Sequence, residues 1–324
     1  MKISVLGIGG TICMLKDELG GVSPKLSAKA LVDSIGLKEN INIEAKNVLA
    51  VPSPSLKFED ILEIIKVAKN EIRNNSNGIV ITQGTDTLEE SAFLLSLLWD
   101  EEIPMIVTGA MKNPSEIGSD GASNLYQSIL VASDKLSQKR GVLVVFNHVI
   151  YQPRFLHKSN SFSLETFKSI NGGNIGYIYE KQVKYISPVY KNKIYHIPNK
   201  INKKVAIIPA CLSGDDYFLD NLSAFDGLII NGFGAGHVSF DFIEKIKSLS
   251  LNIPCVVASR TGSGPTAYNT YSYRGSEIDL QKNGFIMGGF FDCLKARIFL
   301  TLLLMNNFNK EEILKEFNSY YMHF

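Results

Sequence analysis

The chain has 324 residues, 45% of them hydrophobic and 20% charged, a balance that excludes wholesale disorder. Lysine and arginine total 33 and aspartate and glutamate 32, so the formal net charge of +1 gives no general attraction to nucleic acid or to an anionic membrane surface. The length exceeds what one hydrophobic core usually supports, and two domains are therefore expected.

The N-terminus begins as a short strand and runs at once into glycines, a pattern too short and too broken for a secretory signal. No run approaches the roughly 18 apolar residues that a membrane span needs. The four cysteines form no Cys-x-x-Cys pair, so neither a zinc site nor a redox motif is indicated. We therefore expect a reduced, cytoplasmic protein.

The first half of the chain alternates strands with helices. Apolar runs predict strands at 3–6, 78–82, 104–108 and 141–146, an extended segment at 42–51, and helices at 27–35, 58–74, from 87 onward and at 119–134. Repeated strand–helix units of this length predict a parallel sheet with right-handed crossovers.

Residues 181–203 change character and predict an interdomain linker, because they are rich in Lys, Asn and Tyr and show no helical period. A second alternation then predicts strands at 205–208, 227–230 and 254–258 and helices at 239–249, 294–305 and 310–320. The expected fold class is α/β: a larger N-terminal domain with a parallel or mixed sheet over 1–180, and a smaller C-terminal α/β domain over 204–324.

Two threonine-bearing turns follow predicted buried strands, Gly9–Thr11 after the first and Gly84–Thr87 after the second. In a parallel sheet, ligands bind beyond the carboxyl ends of the strands, so both turns are expected at that edge. Hydroxyls and a carboxylate delivered there predict nucleophilic chemistry. Each turn has a simpler explanation: Thr11 closes its turn through a local hydrogen bond, and Thr85 or Asp86 caps the following helix.

Two glycine clusters, 7–11 and 232–237, lack the third glycine of the dinucleotide-binding fingerprint, so nucleotide binding is not indicated. The five histidines show no ligand-like spacing. We expect no metal and no organic cofactor.

The two threonine turns resemble the two signature motifs of the bacterial-type L-asparaginase family. The resemblance spans essentially the whole chain in the order of the family's motifs, through 9–12, 82–90, 107–114, 119–125, 140–147, 154–160, 166–169 and 295–297.

The resemblance implies the family's fold of a larger N-terminal and a smaller C-terminal α/β domain. It implies hydrolysis of the side-chain amide of asparagine, a small-molecule substrate, through a covalent acyl-threonine. It also implies self-association, because the family's subunits pair closely to complete their active sites, often as a dimer of such dimers. No nucleic-acid or membrane partner is expected.

By resemblance, Thr11 matches the family's nucleophile. Thr85, Asp86 and Lys158 match a second cluster, in which the lysine supports the threonine hydroxyl and the attacking water.

For substrate binding, Ser53 falls where the family binds the α-carboxylate, and Glu277 matches an acid that crosses the subunit interface toward the α-ammonium. Asp86 would bind the same α-ammonium together with Glu277. Gly84 and Ala110 would line the reacting end, where an oxyanion donor is typically worth roughly 3 kcal/mol.

Several positions depart from the family's pattern. The segment 15–22 lacks a tyrosine that secreted members carry near the nucleophile, so activation of Thr11 is left to water, Glu277, Tyr271 or Tyr273. Three other departures concern Pro54 at the second carboxylate-binding position, Gln83 in place of a frequent histidine and His237 in place of a common asparagine. These departures leave open a modified or peptide-borne amide as substrate, and a non-catalytic amino-acid-binding homologue.

Overall fold

The computed structural model describes residues 1–16, 22–24, 27–36, 41–214, 219, 222 and 224–320. The chain divides into an N-terminal unit, Met1–Tyr195, and a C-terminal unit, His196–Phe324. Both are α/β, as expected, and the first is the larger. Within the described ranges, no helix has the length and apolar character needed to cross a bilayer.

The N-terminal unit is built on an eight-stranded sheet in the order β12-β11-β8-β7-β6-β5-β1-β4. Its strands are β1 (Lys2–Gly7), β4 (Asn42–Asn47), β5 (Gly78–Thr82), β6 (Met105–Thr108), β7 (Val142–Phe146), β8 (Val149–Tyr151), β11 (Gly176–Tyr179) and β12 (Gln182–Tyr185). Two small antiparallel pairs lie outside it, β2 (Met14–Lys16) with β3 (Val22–Pro24), and β9 (Leu156–Lys158) with β10 (Phe167–Ser169).

The sheet is mixed. β4, β1, β5, β6 and β7 pair in parallel, which confirms the predicted parallel pairing. β8 then turns back antiparallel through Asn147 and His148, whose φ angles of 48° and 65° are those of a tight two-residue hairpin. This turn needs no crossover helix, and the strands beyond it, β11 and β12, also pair antiparallel.

Four helices cover the faces of this sheet: α1 (Ala28–Ser34), α2 (Phe58–Arg73), α3 (Leu88–Leu98) and α4 (Gly121–Ser133). α1 begins where predicted, because the Ser27 side chain accepts a hydrogen bond from Ala30 N at 3.1 Å. All five residues of β5 are buried, as expected for a central parallel strand covered on both faces.

The C-terminal unit holds a parallel sheet in the order β13-β14-β15-β16. The strands are β13 (Val205–Pro209), β14 (Gly227–Gly232), β15 (Cys255–Ser259) and β16 (Ile286–Met287), and the helices are α5 (Phe240–Ile246), α6 (Leu249–Asn252), α7 (Glu277–Lys282), α8 (Cys293–Met305) and α9 (Lys310–Tyr320). Three strands and both closing helices were predicted; β16 and α7 were not.

The predicted linker 181–203 and the predicted domain end at residue 180 need correction. β12 lies inside the predicted linker and pairs with β11 at the edge of the large sheet. Beyond it, Tyr190 N donates to Gln152 Oε1 at 3.1 Å and Tyr195 N donates to Leu97 O at 2.8 Å. These contacts tie the segment to the N-terminal unit, whose end is Tyr195.

Candidate active site

The two threonine turns leave the same edge of the large sheet from neighbouring strands. β1 and β5 pair in parallel with Gly7 opposite Thr82, so their carboxyl ends are level. Thr11 begins a single 3₁₀ turn, Thr11–Cys13, and is half-buried. Thr85 lies three residues beyond β5 and is 6% exposed. Residues 17–21, most of the segment that lacks the family's tyrosine, lie outside the described residues.

Gly10 and Gly84 bring the two turns into backbone contact. A Cβ added at Gly10 would overlap the backbone of Gly84, and one added at Gly84 would lie 2.6 Å from Ser53 Oγ. Gly10 also has a φ of +90°, which side-chain-bearing residues rarely adopt. The sequence therefore places glycine where two loop backbones and a serine must meet.

Gly10→Ala is expected to lower the free energy of unfolding by roughly 3 kcal/mol, because backbone strain adds to steric overlap. Gly141→Ala is the matched control, since Gly141 has a φ of +71° but no atom within 4 Å of an added Cβ. The free energy of unfolding of that control is expected to fall by only about 1 kcal/mol. Urea unfolding measures both, and equal losses would contradict the close approach.

Lys158 joins Thr85 to Asp86. Its Nζ donates to Thr85 Oγ1 at 2.9 Å and to Asp86 Oδ1 at 2.6 Å. The lysine side chain is 15% exposed, whereas that of Asp86 is 60% exposed. The cluster thus presents a buried hydroxyl, a largely buried ammonium and a carboxylate open to a ligand.

Ser53 lies beside this cluster, at the start of a 3₁₀ turn before α2. Its Oγ accepts from Asp86 N at 3.3 Å, and its carbonyl accepts from Thr87 Oγ1 at 2.9 Å. The residue is 2% exposed, so its visible role is to hold the Thr85–Asp86 turn. The adjacent Pro54 is exposed and has no N–H to offer.

The segment that follows β6 lies beside the turn that carries Thr85. Ala110 is fully buried in the main hydrophobic core, and a Cβ at Gly109 would lie 2.5 Å from Gln83 O. The Asp120 carboxylate accepts from the backbone N of Met111 and Lys112, which fixes the loop that follows Ala110. Gln83 is buried as well, and its Oε1 accepts from Ser91 Oγ at 2.8 Å.

Glu277, at the start of α7, is fully buried within the C-terminal unit. One carboxylate oxygen accepts from the backbone N of Thr270 and Tyr271 at 2.6 and 2.5 Å, and the other bonds His237 Nε2 at 3.0 Å. Tyr273 Oη bonds His237 Nδ1 at 2.6 Å. Within this unit the Glu277 carboxylate bonds His237, which in turn bonds Tyr273, and the contact of Glu277 with a ligand ammonium stays a prediction.

The charge state of Glu277 stabilises this unit. Burial raises its pKa, but hydrogen bonds from backbone N–H groups and from His237 outweigh burial and hold the pKa below its ordinary value of 4.5. A depressed carboxyl pKa contributes stability above about pH 4.5, which is lost as pH falls through the folded-state value.

Thermal unfolding measured from pH 7 downward is therefore expected to show a loss of stability below about pH 4.5 that is steeper in the wild type than in Glu277→Gln. Glu59→Gln, which removes an exposed carboxylate on α2, is the control and should follow the wild type. Parallel curves for all three proteins would contradict this role of Glu277.

Across the described part of the chain, no group of three or more His, Cys, Asp or Glu side chains is arranged to hold a metal ion.

Two α/β units, with paired threonine turns beside a lysine at the carboxyl edge of the larger sheet, define an asparaginase-like amidohydrolase. Residues 2–191 match the asparaginase N-terminal family, and residues 204–317 match the glutaminase/asparaginase C-terminal domain. The chain belongs to the asparaginase family.

Named relatives agree with this placement. The chain is 32% identical to a probable periplasmic L-asparaginase of Haemophilus influenzae, over 98% of this chain and 93% of the relative. It is 29% identical to an L-asparaginase of Bacillus licheniformis, over 94% and 95%. A crystal structure of a probable cytoplasmic L-asparaginase from Campylobacter jejuni matches with a TM-score of 0.88 at 26% identity, covering 98% of this chain and 99% of that one.

Proposed function

We propose that this enzyme hydrolyses the side-chain amide of L-asparagine to aspartate and ammonia through an acyl-threonine intermediate on Thr11. The observation that carries the proposal is the bridge from Lys158 Nζ to Thr85 Oγ1 and Asp86 Oδ1, beside the contact of Gly10 with Gly84. The names of the relatives support asparagine as the substrate.

In the first step, the Thr11 hydroxyl attacks the amide carbon, the C–N bond breaks, and the hydroxyl proton leaves with the nitrogen as ammonia. In the second, water attacks the resulting ester with the help of Thr85 and Lys158, which releases aspartate and restores Thr11. Donors along the Gly84–Thr85 turn and the segment at Ala110 would stabilise the oxyanion of each step.

Substrate positioning falls to Asp86 and Ser53. The exposed carboxylate of Asp86 would hold the α-ammonium, while the turn at Ser53 would face the α-carboxylate. Holding both ends of the amino acid places the distal amide over Thr11, and such positioning lowers the barrier by several kcal/mol.

A second candidate is the same chemistry on a modified or peptide-borne amide. It is favoured by the surroundings of Ser53, which is only 2% exposed and whose neighbour Pro54 is exposed and has no N–H to offer a carboxylate. These features weaken the recognition of a free α-carboxylate. A non-catalytic amino-acid-binding protein is a third candidate.

Ammonia release from four amides separates these candidates: L-asparagine, L-glutamine, N-acetyl-L-asparagine and an asparagine-containing tripeptide. Thr11→Ala protein serves as the blank. We expect the highest kcat/KM with free L-asparagine, because Asp86 requires a free ammonium. A preference for a blocked amide would favour the second candidate. Calorimetric binding of asparagine without ammonia release would favour the third and overturn the proposal.

We also propose that the enzyme self-associates to a dimer or tetramer in which the Glu277 cluster of one copy completes the site of its neighbour. Co-expression of Thr11→Ala chains with Glu277→Gln chains tests this. If Thr11 of one copy and Glu277 of its neighbour form one site, an intact site needs one chain of each variant in the right places. Random pairing of equal amounts then restores about one quarter of the wild-type number of sites. If they act within one chain, no activity returns.

A cytoplasmic location is part of the proposal. It is supported by the name of the Campylobacter jejuni protein, although the Haemophilus influenzae relative is named as periplasmic. Fractionation of the native host with antibodies to the chain decides between the compartments.

A further inference from the structure

Glu89 is a buried carboxylate that neither catalytic step uses. It is the second residue of α3 and 3% exposed. A carboxylate there gains from the positive end of the helix dipole, which explains an acid at this position but not its burial. Burying a charge is costly unless hydrogen bonds compensate, so the groups that bind this carboxylate indicate its role.

Two of those groups belong to the strand that carries Lys158. Glu89 Oε1 accepts from the backbone N of Lys158 at 3.3 Å. Glu89 Oε2 bonds His157 Nδ1, also at 3.3 Å. One buried side chain thereby binds two consecutive residues of β9 at two separate points.

β9 needs such an attachment because it is not part of the main sheet. It has three residues, and its ladder runs to β10, in a pair separate from the eight-stranded sheet. The register of the main sheet therefore does not fix the position of Lys158.

The segment from Thr85 to Glu89 binds Lys158 both at its side-chain ammonium and at its backbone N–H. Thr85 and Asp86 bind its ammonium, while Glu89 binds its backbone N–H. Thr85 and Asp86 lie just before α3, and Glu89 lies in its first turn. The short segment that carries the Thr85 hydroxyl therefore also fixes the position of the lysine.

We propose that Glu89 is a positioning residue that sets the place of the Lys158 ammonium at Thr85 by anchoring β9 through Lys158 N and His157 Nδ1. This inference rests on the function proposed above. It adds to that function a carboxylate that keeps the Lys158 ammonium in position without touching the substrate.

Glu89→Ala is expected to lower kcat about 10- to 100-fold with a smaller change in KM, because displacing a catalytic group by 1 Å costs up to about 10²-fold. Glu89→Gln should stay within about threefold of the wild type, since an amide oxygen still accepts from Lys158 N. Glu59→Ala is the matched control: Glu59 is likewise the second residue of a helix, α2, but exposed, and its kcat should not change.

A double-mutant cycle separates positioning from a general loss of structure. If Glu89 acts through Lys158, Glu89→Ala has no further effect on the residual kcat of Lys158→Met. An equal effect in both backgrounds, or a wild-type kcat for Glu89→Ala, would overturn the inference. If Lys158→Met itself keeps the wild-type kcat, the proposed function fails instead, so the two failures are distinguishable.

Discussion

Thr11→Val is expected to lower kcat for ammonia release from L-asparagine by at least about 10³-fold, because it removes the proposed nucleophile while keeping the shape of the side chain. Thr11→Ser should recover part of the rate, since it restores a hydroxyl at the same position. KM should change much less, because the ammonium and carboxylate of the substrate are held by other residues.

The fold provides the control for this experiment. Thr11 follows two glycines of positive φ and is half-buried, so a change from hydroxyl to methyl alters little of the packing. Thermal unfolding of Thr11→Val should match that of the wild type. A folded Thr11→Val protein with wild-type kcat would exclude Thr11 as the nucleophile.

Lys158→Met is expected to lower kcat about 10³-fold, within the range of 10²–10⁴ for the loss of an acid–base group. The methionine fills similar space but removes the ammonium, so Thr85 Oγ1 and Asp86 Oδ1 lose the donor that joins them. Because Thr85 and Lys158 are assigned to the water-attack step, the first step should still release ammonia in Lys158→Met. A burst of ammonia equal in amount to the active sites should therefore precede the slow steady state.

Lys168→Met is the matched control. Lys168 is exposed on β10, directly across from His157, so it shares the local strand pair but not the site. Its kcat is expected to equal that of the wild type. A similar loss in both variants would show that the strand pair, rather than the Lys158 ammonium, accounts for the effect.

The sequence predicts the elements that position the site because these elements are buried. β5 is buried throughout, apolar up to its last residue Thr82, and flanked by turn residues, and the parallel pairing of β1 with β5 follows from the strand–helix alternation. β12 was missed because it is a short edge strand whose exposed Gln182 and Lys184 blend into the polar residues that follow it. Alternation of apolar and polar residues predicts a half-buried strand, but about four residues is the shortest run that carries this signal.

Contacts between distant residues were less predictable. Lys158 lies 73 residues from Thr85, and only the family resemblance suggested that they meet. The helix dipole alone explains an acid such as Glu89 in the first turn of α3, so the sequence offered no reason to expect its contacts with β9. The burial of Glu277 depends on His237, 40 residues away, and no local pattern links the two.

Trapping the covalent intermediate tests the central claim most directly. Lys158→Met protein mixed with L-asparagine, quenched in acid and digested, is analysed by peptide mass spectrometry. We predict one added aspartyl group on the peptide that contains Thr11, absent from the Thr11→Val, Lys158→Met double variant. An aspartyl group on Thr85, or turnover with no acylated peptide at any time point, would contradict the account.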